Sequence, residues 1–587
     1  MKYGLSGSKK TKQKGELARA LKKLSPLLSG EKRNLAVAFF AVLIWSAAAL
    51  LDPIIIGRAI DLYIKNKDFN GVLISAAILL GVYAVALVAS YIQTIALGGV
   101  GRRVLFSLRN ALFAKLQELP AAFFNQNKSG DLISRINNDT DKLNQFIGQA
   151  LMQFMRSSFI VAGAGIFLLS LNFRLGAAAL VPAVAVLIAT QLLSSWVERT
   201  NLRSLQALGG MSSEVQESLA NFKVVAAFNR FDYFRSKFDG VNLKNFSASV
   251  KAGIASNIFF PIYGTASSMA QLIVLGYGIY LIAAGNFTVG LLIGYLLYVN
   301  SFYGPLRQLA SVWPSMQLAF AAIDRISEVL SLRSDMKIIE DKFGGDKTNS
   351  LLEFRNVSFA YPDGKTVLSR VDLKLQKGKT YALVGPTGGG KTTTASLMAR
   401  LYDASEGAIL LEGKDIRSYP HDIRSQKIGF ILQEPFLFTG TIRDNIVYGN
   451  EEYANCTDEQ LSAALENAGL SGLIARFSEG LKTKIASGGD TISLGQKQLI
   501  AFIRAVLRKP DLLILDEATA NIDTVTERLL EEIIDKLPKD TAKVIIAHRL
   551  NTISNADEIY FVNGGEVTLA GSMEQAVKML IGQKRTS

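Results

Sequence analysis

The chain reads as a multidomain membrane protein: a six-helix, all-α transmembrane domain with long helical extensions, followed by an α/β P-loop domain. Three observations predict this. Six apolar stretches, near 35–57, 72–97, 147–170, 175–195, 254–283 and 288–312, are each long enough to cross a hydrocarbon core that takes about 20 helical residues. Segment Gly385–Thr392, GPTGGGKT, follows them and fits the phosphate-binding P-loop pattern. The composition is intermediate, too: 49% of the 587 residues are hydrophobic, high for a soluble chain and low for one wholly in membrane.

Residues 1–34 form a basic N-terminal segment, expected to include an elbow helix. The net charge of +14 is concentrated partly here, in Lys2, Lys9, Lys10, Lys12, Lys14, Arg19, Lys22 and Lys23. Placed just before an apolar run, these suit a cytosolic anchor beside anionic headgroups. A nucleic-acid arm fits less well, because no aromatic platform or base-reading module follows, and no nucleic-acid partner is expected. No cleavable signal peptide is expected: the n-region is too long and no small-residue cleavage site follows Leu35–Ile56. The single cysteine, Cys456, excludes an internal disulfide and a cysteine metal cluster, and two histidines exclude a His-rich one.

The transmembrane domain is expected over 35–330. Its first, third and fifth connections are short; the second and fourth, near 98–146 and 196–253, are long and helical in periodicity. The long ones hold Arg102, Arg103, Arg109, Lys115, Lys128, Arg135 and Lys142, then Arg199, Arg203, Lys223, Arg230, Arg235, Lys237, Lys244 and Lys251. The short ones hold only Arg58, Lys65, Lys67 and Arg174. The positive-inside rule therefore predicts cytosolic long connections and cytosolic termini, which an even number of spans permits. Within the long connections, Gly130–Asp139 and Ala220–Arg230 mix apolar and charged positions at helical spacing. Each reads either as a segment docked on another domain or as an amphipathic surface helix. Arg156, in or just below the third span, is either an embedded functional charge or a side chain snorkelling to the interface.

Residues 331–350 are polar and read as a linker. From 351 to about 580, short β-rich runs (LEFRNVSF, VDLKL, TYALV, IGFIL, LLILD, KVIIAH, EIYFV) alternate with helical ones, which predicts a largely parallel core sheet.

The chemistry lies in this second half. In the P-loop, the turn of Gly385, Pro386, Thr387, Gly388, Gly389 and Gly390 would surround the phosphates, its backbone N–H groups (all but that of Pro386, which has none) pointing at them. Lys391 would neutralise β/γ oxygens, and the Thr392 hydroxyl would ligate Mg2+, with Thr393 adjoining. Strand LLILDE ends in Asp516, placed to hold Mg2+, and Glu517, placed to polarise an attacking water. Gln433 closes strand IGFIL; Ile492–Gln496 reads ISLGQ and opens a helix; Asp523 follows in ANID; His548 ends KVIIA.

This ordered set resembles the ABC transporter ATPase: P-loop, Q-loop, signature, Walker B, D-loop and H-loop. With the six spans, nearly the whole chain resembles a half-transporter of the type IV ABC exporter class. The resemblance implies ATP and Mg2+ as cofactors and adenine stacking on Tyr361 of FAYPDG. It implies Mg2+ and water contact through Gln433, γ-phosphate contact through His548, and a D-loop carboxylate in Asp523. It also assigns Gly130–Asp139 and Ala220–Arg230 as coupling helices. His421 matches no motif and is expected to be solvated.

Two departures bear on the partner. The family's signature is LSGGQ; here Ser493, Gly495 and Gln496 remain, but Leu494 replaces the first glycine. Upstream, IASGG puts Ser487 and Gly488 where exporters carry an acidic–basic pair. Composite sites pair one subunit's Walker motifs with the other's signature. The pattern therefore resembles the catalytically competent half of a bacterial heterodimeric multidrug exporter, with LSGGQ intact in the other half. The implied function is ATP-driven export of hydrophobic or amphipathic molecules (drugs, lipids or peptides) across a bacterial inner membrane. A homodimeric lipid flippase and an ATP-gated channel are the alternatives.

Overall fold

The computed structural model describes residues 3–5, 29–344, 350–362, 364–486, 492–516, 524–535, 537–546, 556–571, 574–576 and 578–579. The chain divides into two compact units, one of Ser6–Gln117 and Gly130–Ser331, the other of Met1–Leu5, Glu118–Ser129 and Leu332–Ser587.

Among the described residues of the first unit, six helical segments are long and apolar enough to cross a membrane: α1 (Ser29–Ile64), α2 (Phe69–Gln117), α3 (Ser129–Leu171), α4 (Phe173–Ala220), α5 (Phe231–Ala283) and α6 (Val289–Ser331). They contain the six apolar stretches and run well past them. The 49 residues of α2 make a rod of about 74 Å, more than twice a hydrocarbon core. The short connections are closed by side-chain caps. Asp68 Oδ1 accepts from Gly71 N at 3.0 Å, and Asn172 Oδ1 from Leu175 N at 3.1 Å. The cap of α6 comes from another helix: Asp61 Oδ1 accepts from Gly290 N at 2.8 Å, and its other oxygen accepts from the Thr288 hydroxyl. Here α1 and α6 touch backbone to backbone. A Cβ added to Gly290 would lie 2.1 Å from the Gly57 carbonyl oxygen, so no other residue fits without the helices parting.

Farther along α6, three buried tyrosines tie it to its neighbours through backbone carbonyls. Tyr298 donates to Leu50 O of α1 at 2.6 Å, Tyr295 to Asn172 O at 2.9 Å and to Leu168 O of α3, and Tyr303 to Ala179 O of α4 at 2.8 Å. Each ring fills the bundle interior while its hydroxyl stays satisfied.

The first expected coupling segment is corrected. Gly130–Asp139 belongs to the membrane unit, and its charges are spent on α6. Arg135, almost fully buried, donates to Asp131 Oδ2 at 2.9 Å, Glu328 Oε2 at 2.8 Å and the Arg325 carbonyl at 2.7 Å. Arg325 in turn donates to Asp131 Oδ1 at 2.7 Å and pairs with Asp139 Oδ2 at 3.0 Å. The amphipathic pattern thus reflects packing inside one bundle. It is the preceding short helix, Ala121–Gln126, that clusters with the nucleotide-binding fold. The second segment, with its helix at Phe222–Ala227, lies in the membrane unit and exposes Phe222, Val224 and Phe228.

In the second unit, β1 (Ser350–Ala360), β2 (Thr366–Gln376), β4 (Glu406–Leu411) and β5 (Lys414–Asp415) form an antiparallel sheet in the order β2-β1-β4-β5. A second sheet has the order β12-β11-β3-β10-β9-β6, from β3 (Thr380–Val384), β6 (Ile428–Ile431), β9 (Leu512–Asp516), β10 (Ala542–Ile546), β11 (Glu558–Asn563) and β12 (Glu566–Leu569). All its neighbours pair in parallel except the edge strand β12, and a separate short antiparallel ladder joins β7 (Gly440–Thr441) to β8 (Lys484–Ile485). Strand β9 alternates between two cores. Leu512 and Ile514 join Ala395, Leu397 and Met398 of α7 (Lys391–Met398), while Leu513 and Leu515 join Leu499, Phe502, Ile503 and Val506 of α8 (Leu494–Val506). Since successive strand side chains point to opposite faces, α7 and α8 lie on opposite faces of this sheet.

Candidate nucleotide site

Parallel pairing brings the carboxyl ends of β3, β9 and β6 to one edge, the place where such sheets leave a crevice for ligands. The P-loop leaves β3 there, Asp516 is the last residue of β9, and Gln433 lies two residues beyond β6, exposed. The loop has a backbone that only glycine adopts easily. Gly385 has φ +148°, and a Cβ on it would meet the Val562 carbonyl at 2.0 Å; Gly390, with φ +110°, caps α7. Buried Lys391 folds back over this turn, donating from Nζ to the carbonyls of Gly385 at 2.9 Å and Pro386 at 3.0 Å. Thr392 Oγ1 donates to buried Asp516 Oδ1 at 3.4 Å. A hydroxyl beside a buried carboxylate is a hard-oxygen pair of the kind Mg2+ takes, and the amide-rich turn suits phosphate, so the residues present fit both.

Tyr361 follows β1 at the end of the other sheet. Its hydroxyl lies 3.0 Å from Thr393 Oγ1, and its ring stands edge-on to Phe359 and Tyr402. Tyr402 was not anticipated, nor was the short helix that reaches it: Asn125 Nδ2 donates to the Tyr402 hydroxyl at 2.6 Å. Burial raises the Tyr402 phenol above its ordinary pKa and keeps it protonated. The available signal was Pro120, whose extended backbone starts AAFFNQ as a helix. Tyr3 closes the same corner: its backbone N donates to Gln126 Oε1 at 2.9 Å, its hydroxyl to Asp335, and its carbonyl accepts from Asn127 Nδ2 at 3.0 Å.

The signature residues stand at the start of α8. Ser493 Oγ accepts from Gln496 N at 3.2 Å, and Gln496 Oε1 accepts from Ser493 N at 3.0 Å, a reciprocal capping box. Leu494 is the first helical residue and is exposed, with Gly495 next to it half-buried. Glu517, Asp523, His548, Ser487 and Gly488 lie outside the described residues. His421 is exposed, as expected, with Nδ1 2.9 Å from Arg424 Nη2.

Comparison with known proteins accounts for both units. The family described as "ABC transporter transmembrane region" matches residues 35–306, and "ABC transporter" matches residues 368–520. An uncharacterized ABC transporter ATP-binding protein of Bacillus subtilis, YfiC, is 31% identical over 97% of this chain and 94% of its own length. The chain belongs to the ABC transporters. A multidrug resistance ABC transporter ATP-binding and permease protein of Lactococcus lactis is 29% identical over 85% of this chain and 84% of its own length. A fatty acid ABC transporter ATP-binding/permease protein of Mycobacterium bovis is 30% identical over 86% and 80%. This ABC transporter is thus a multi-pass membrane protein of the exporter half-transporter type, an ATP hydrolase whose turnover is coupled to transport.

Proposed function

We propose that this subunit is the hydrolysing half of a heterodimeric bacterial exporter for hydrophobic or amphipathic molecules, set in the inner membrane with both termini cytosolic. The observation that carries the reading is the meeting of Thr392 and Asp516 at the edge where the P-loop emerges. Backbone N–H groups of the Gly385–Gly390 turn, Pro386 having none, hold the phosphates, and Lys391 leaves its carbonyls to pair with the β/γ oxygens. Thr392, Asp516 and Gln433 hold the metal. Mg2+, when bound, neutralises charge developing between the β- and γ-phosphates. Tyr361 stacks on adenine, Glu517 orients the attacking water, His548 contacts the γ-phosphate, and Asp523 belongs to the D-loop.

Two features support a different partner. The signature helix α8 lies on the sheet face opposite α7, so Ser493, Leu494, Gly495 and Gln496 are available to a second subunit's nucleotide. There Leu494 adds bulk where the family carries glycine. The exposed Phe222, Val224 and Phe228 offer that second subunit a coupling contact. Names of relatives, multidrug resistance and fatty acid transport, support an amphipathic cargo.

The test is ATP turnover by the purified full-length chain alone and after mixing with a half-transporter carrying LSGGQ. The reading expects little turnover alone and strong substrate-stimulated turnover in the mixture. Robust drug- or lipid-stimulated hydrolysis by the chain alone would establish a homodimer instead.

A further inference from the structure

Arg156 is a charge inside a membrane span, and among the described residues no carboxylate pairs with it. Its guanidinium carbon sits 3.5 Å above the centre of the Trp45 ring of α1, and Nη2 points at Ser90 Oγ of α2, 3.4 Å away. Its Nε is buried without a partner. Beside it a cleft of about 450 Å3, lined by Trp45, Leu87, Ser90, Tyr91 and Thr94, opens outward. An arginine stacked on tryptophan retains donors that a second, anionic group can use.

Depth narrows the ligand. Counted from the short connections, Trp45 lies about 28 Å of helix from Ile64, Ser90 about 31 Å from Phe69 and Arg156 about 23 Å from Leu171. Across a core of about 30 Å, Trp45 and Ser90 reach the far interface, on the side of the basic connections, and the Arg156 backbone lies about 7 Å short of it, within the reach of its long side chain. Phosphate headgroups lie at that level, with acyl chains beside exposed Leu87 and Tyr91. A cation held by an aromatic platform and a hydroxyl, open to the lipid, suits a phosphodiester.

We infer that Arg156, Trp45 and Ser90 form a binding site for the phosphate headgroup of an anionic lipid in the leaflet nearest the basic connections. The site stands independently of the heterodimer reading, since all three residues belong to this chain.

Trp45 is its own reporter once the other two tryptophans are replaced, Trp196→Phe and Trp313→Phe. The full-length chain is placed in nanodiscs of phosphatidylcholine containing a minor fraction of lipid brominated near the headgroup, either phosphatidylglycerol or phosphatidylcholine. The site predicts about fivefold enrichment of phosphatidylglycerol next to Trp45, read as stronger quenching. Arg156→Gln should remove the preference, and Arg156→Lys should keep most of it. Equal quenching by the two lipids in the protein with Arg156 intact would overturn the proposal without recourse to a variant. Inorganic phosphate that shifts Trp45 emission as strongly as phosphatidylglycerol would show a soluble-anion site and overturn the lipid assignment.

Discussion

Thr392 Oγ1 donates to Asp516 Oδ1 across 3.4 Å, joining the first turn of the P-loop helix to the end of a strand more than a hundred residues later. Removing that hydroxyl with Thr392→Val should lower nucleotide-dependent turnover by about 10–100-fold, the usual cost of losing a metal-site partner. Isothermal titration with ATP, with and without Mg2+, checks it: the Mg2+-dependent part of the affinity should fall, and the Mg2+-free part should not.

Glu517→Gln, one residue on, should behave differently. Hydrolysis is expected to drop by about 10²–10⁴-fold while ATP stays bound, because the carboxylate proposed above to orient the water is the only group lost. Nucleotide retained after gel filtration, together with phosphate release, separates the two variants. Substantial residual release would assign the base to another residue.

Leu494→Gly should speed hydrolysis at the site completed by this signature in the assembled transporter. The helix itself should hold, since the Ser493–Gln496 capping box does not involve the Leu494 side chain. Ser493→Ala, by contrast, removes the cap and should cost about 1 kcal/mol of local stability. An unchanged rate in Leu494→Gly would put the limitation in the partner's own Walker B.

Arg135→Met should destabilise the membrane unit by about 2–3 kcal/mol, because Glu328 loses the buried Arg135 guanidinium and Asp131 keeps only Arg325. A lowered Tm in detergent is the readout. Pairing it with Glu328→Gln should recover part of the loss.

His421, although exposed at the surface, is held below its ordinary pKa by local desolvation and by the Arg424 and Arg400 guanidinium groups. The unfolded chain therefore takes up this proton first, near pH 6.5, and the folded state loses stability as pH falls below that value. His421→Gln should flatten the acid side of the stability profile of the second unit slightly and leave the alkaline side unchanged. An identical slope in both proteins between pH 7 and 5 would refute the shift.

The layout was legible because lipid and phosphate both impose severe patterns. Spans need long apolar runs, and a phosphate turn needs glycines between a strand and a helix. Parallel pairing then set Asp516 beside Thr392 at the sheet edge where the P-loop emerges. What escaped depends on contacts far apart in the chain. Arg135 and Asp131 looked like a docking surface because local periodicity cannot show that Arg325 and Glu328 neutralise them from α6. Tyr402 carried no motif, and its role beside Tyr361 came from packing alone. Arg156 stayed ambiguous in sequence because its partner is an aromatic ring on another helix.

The glycine contact between α1 and α6 has a mechanical consequence. It pins one end of a 43-residue helix that is about 65 Å long, with Asp61 as the latch. A fulcrum so near the tip makes the rest of α6 a lever, and a tilt of about 5° there moves the opposite end by about 6 Å. Replacing Gly290 by a bulkier residue would shift the pivot itself, so that the same tilt would carry the far end of α6 along a different arc.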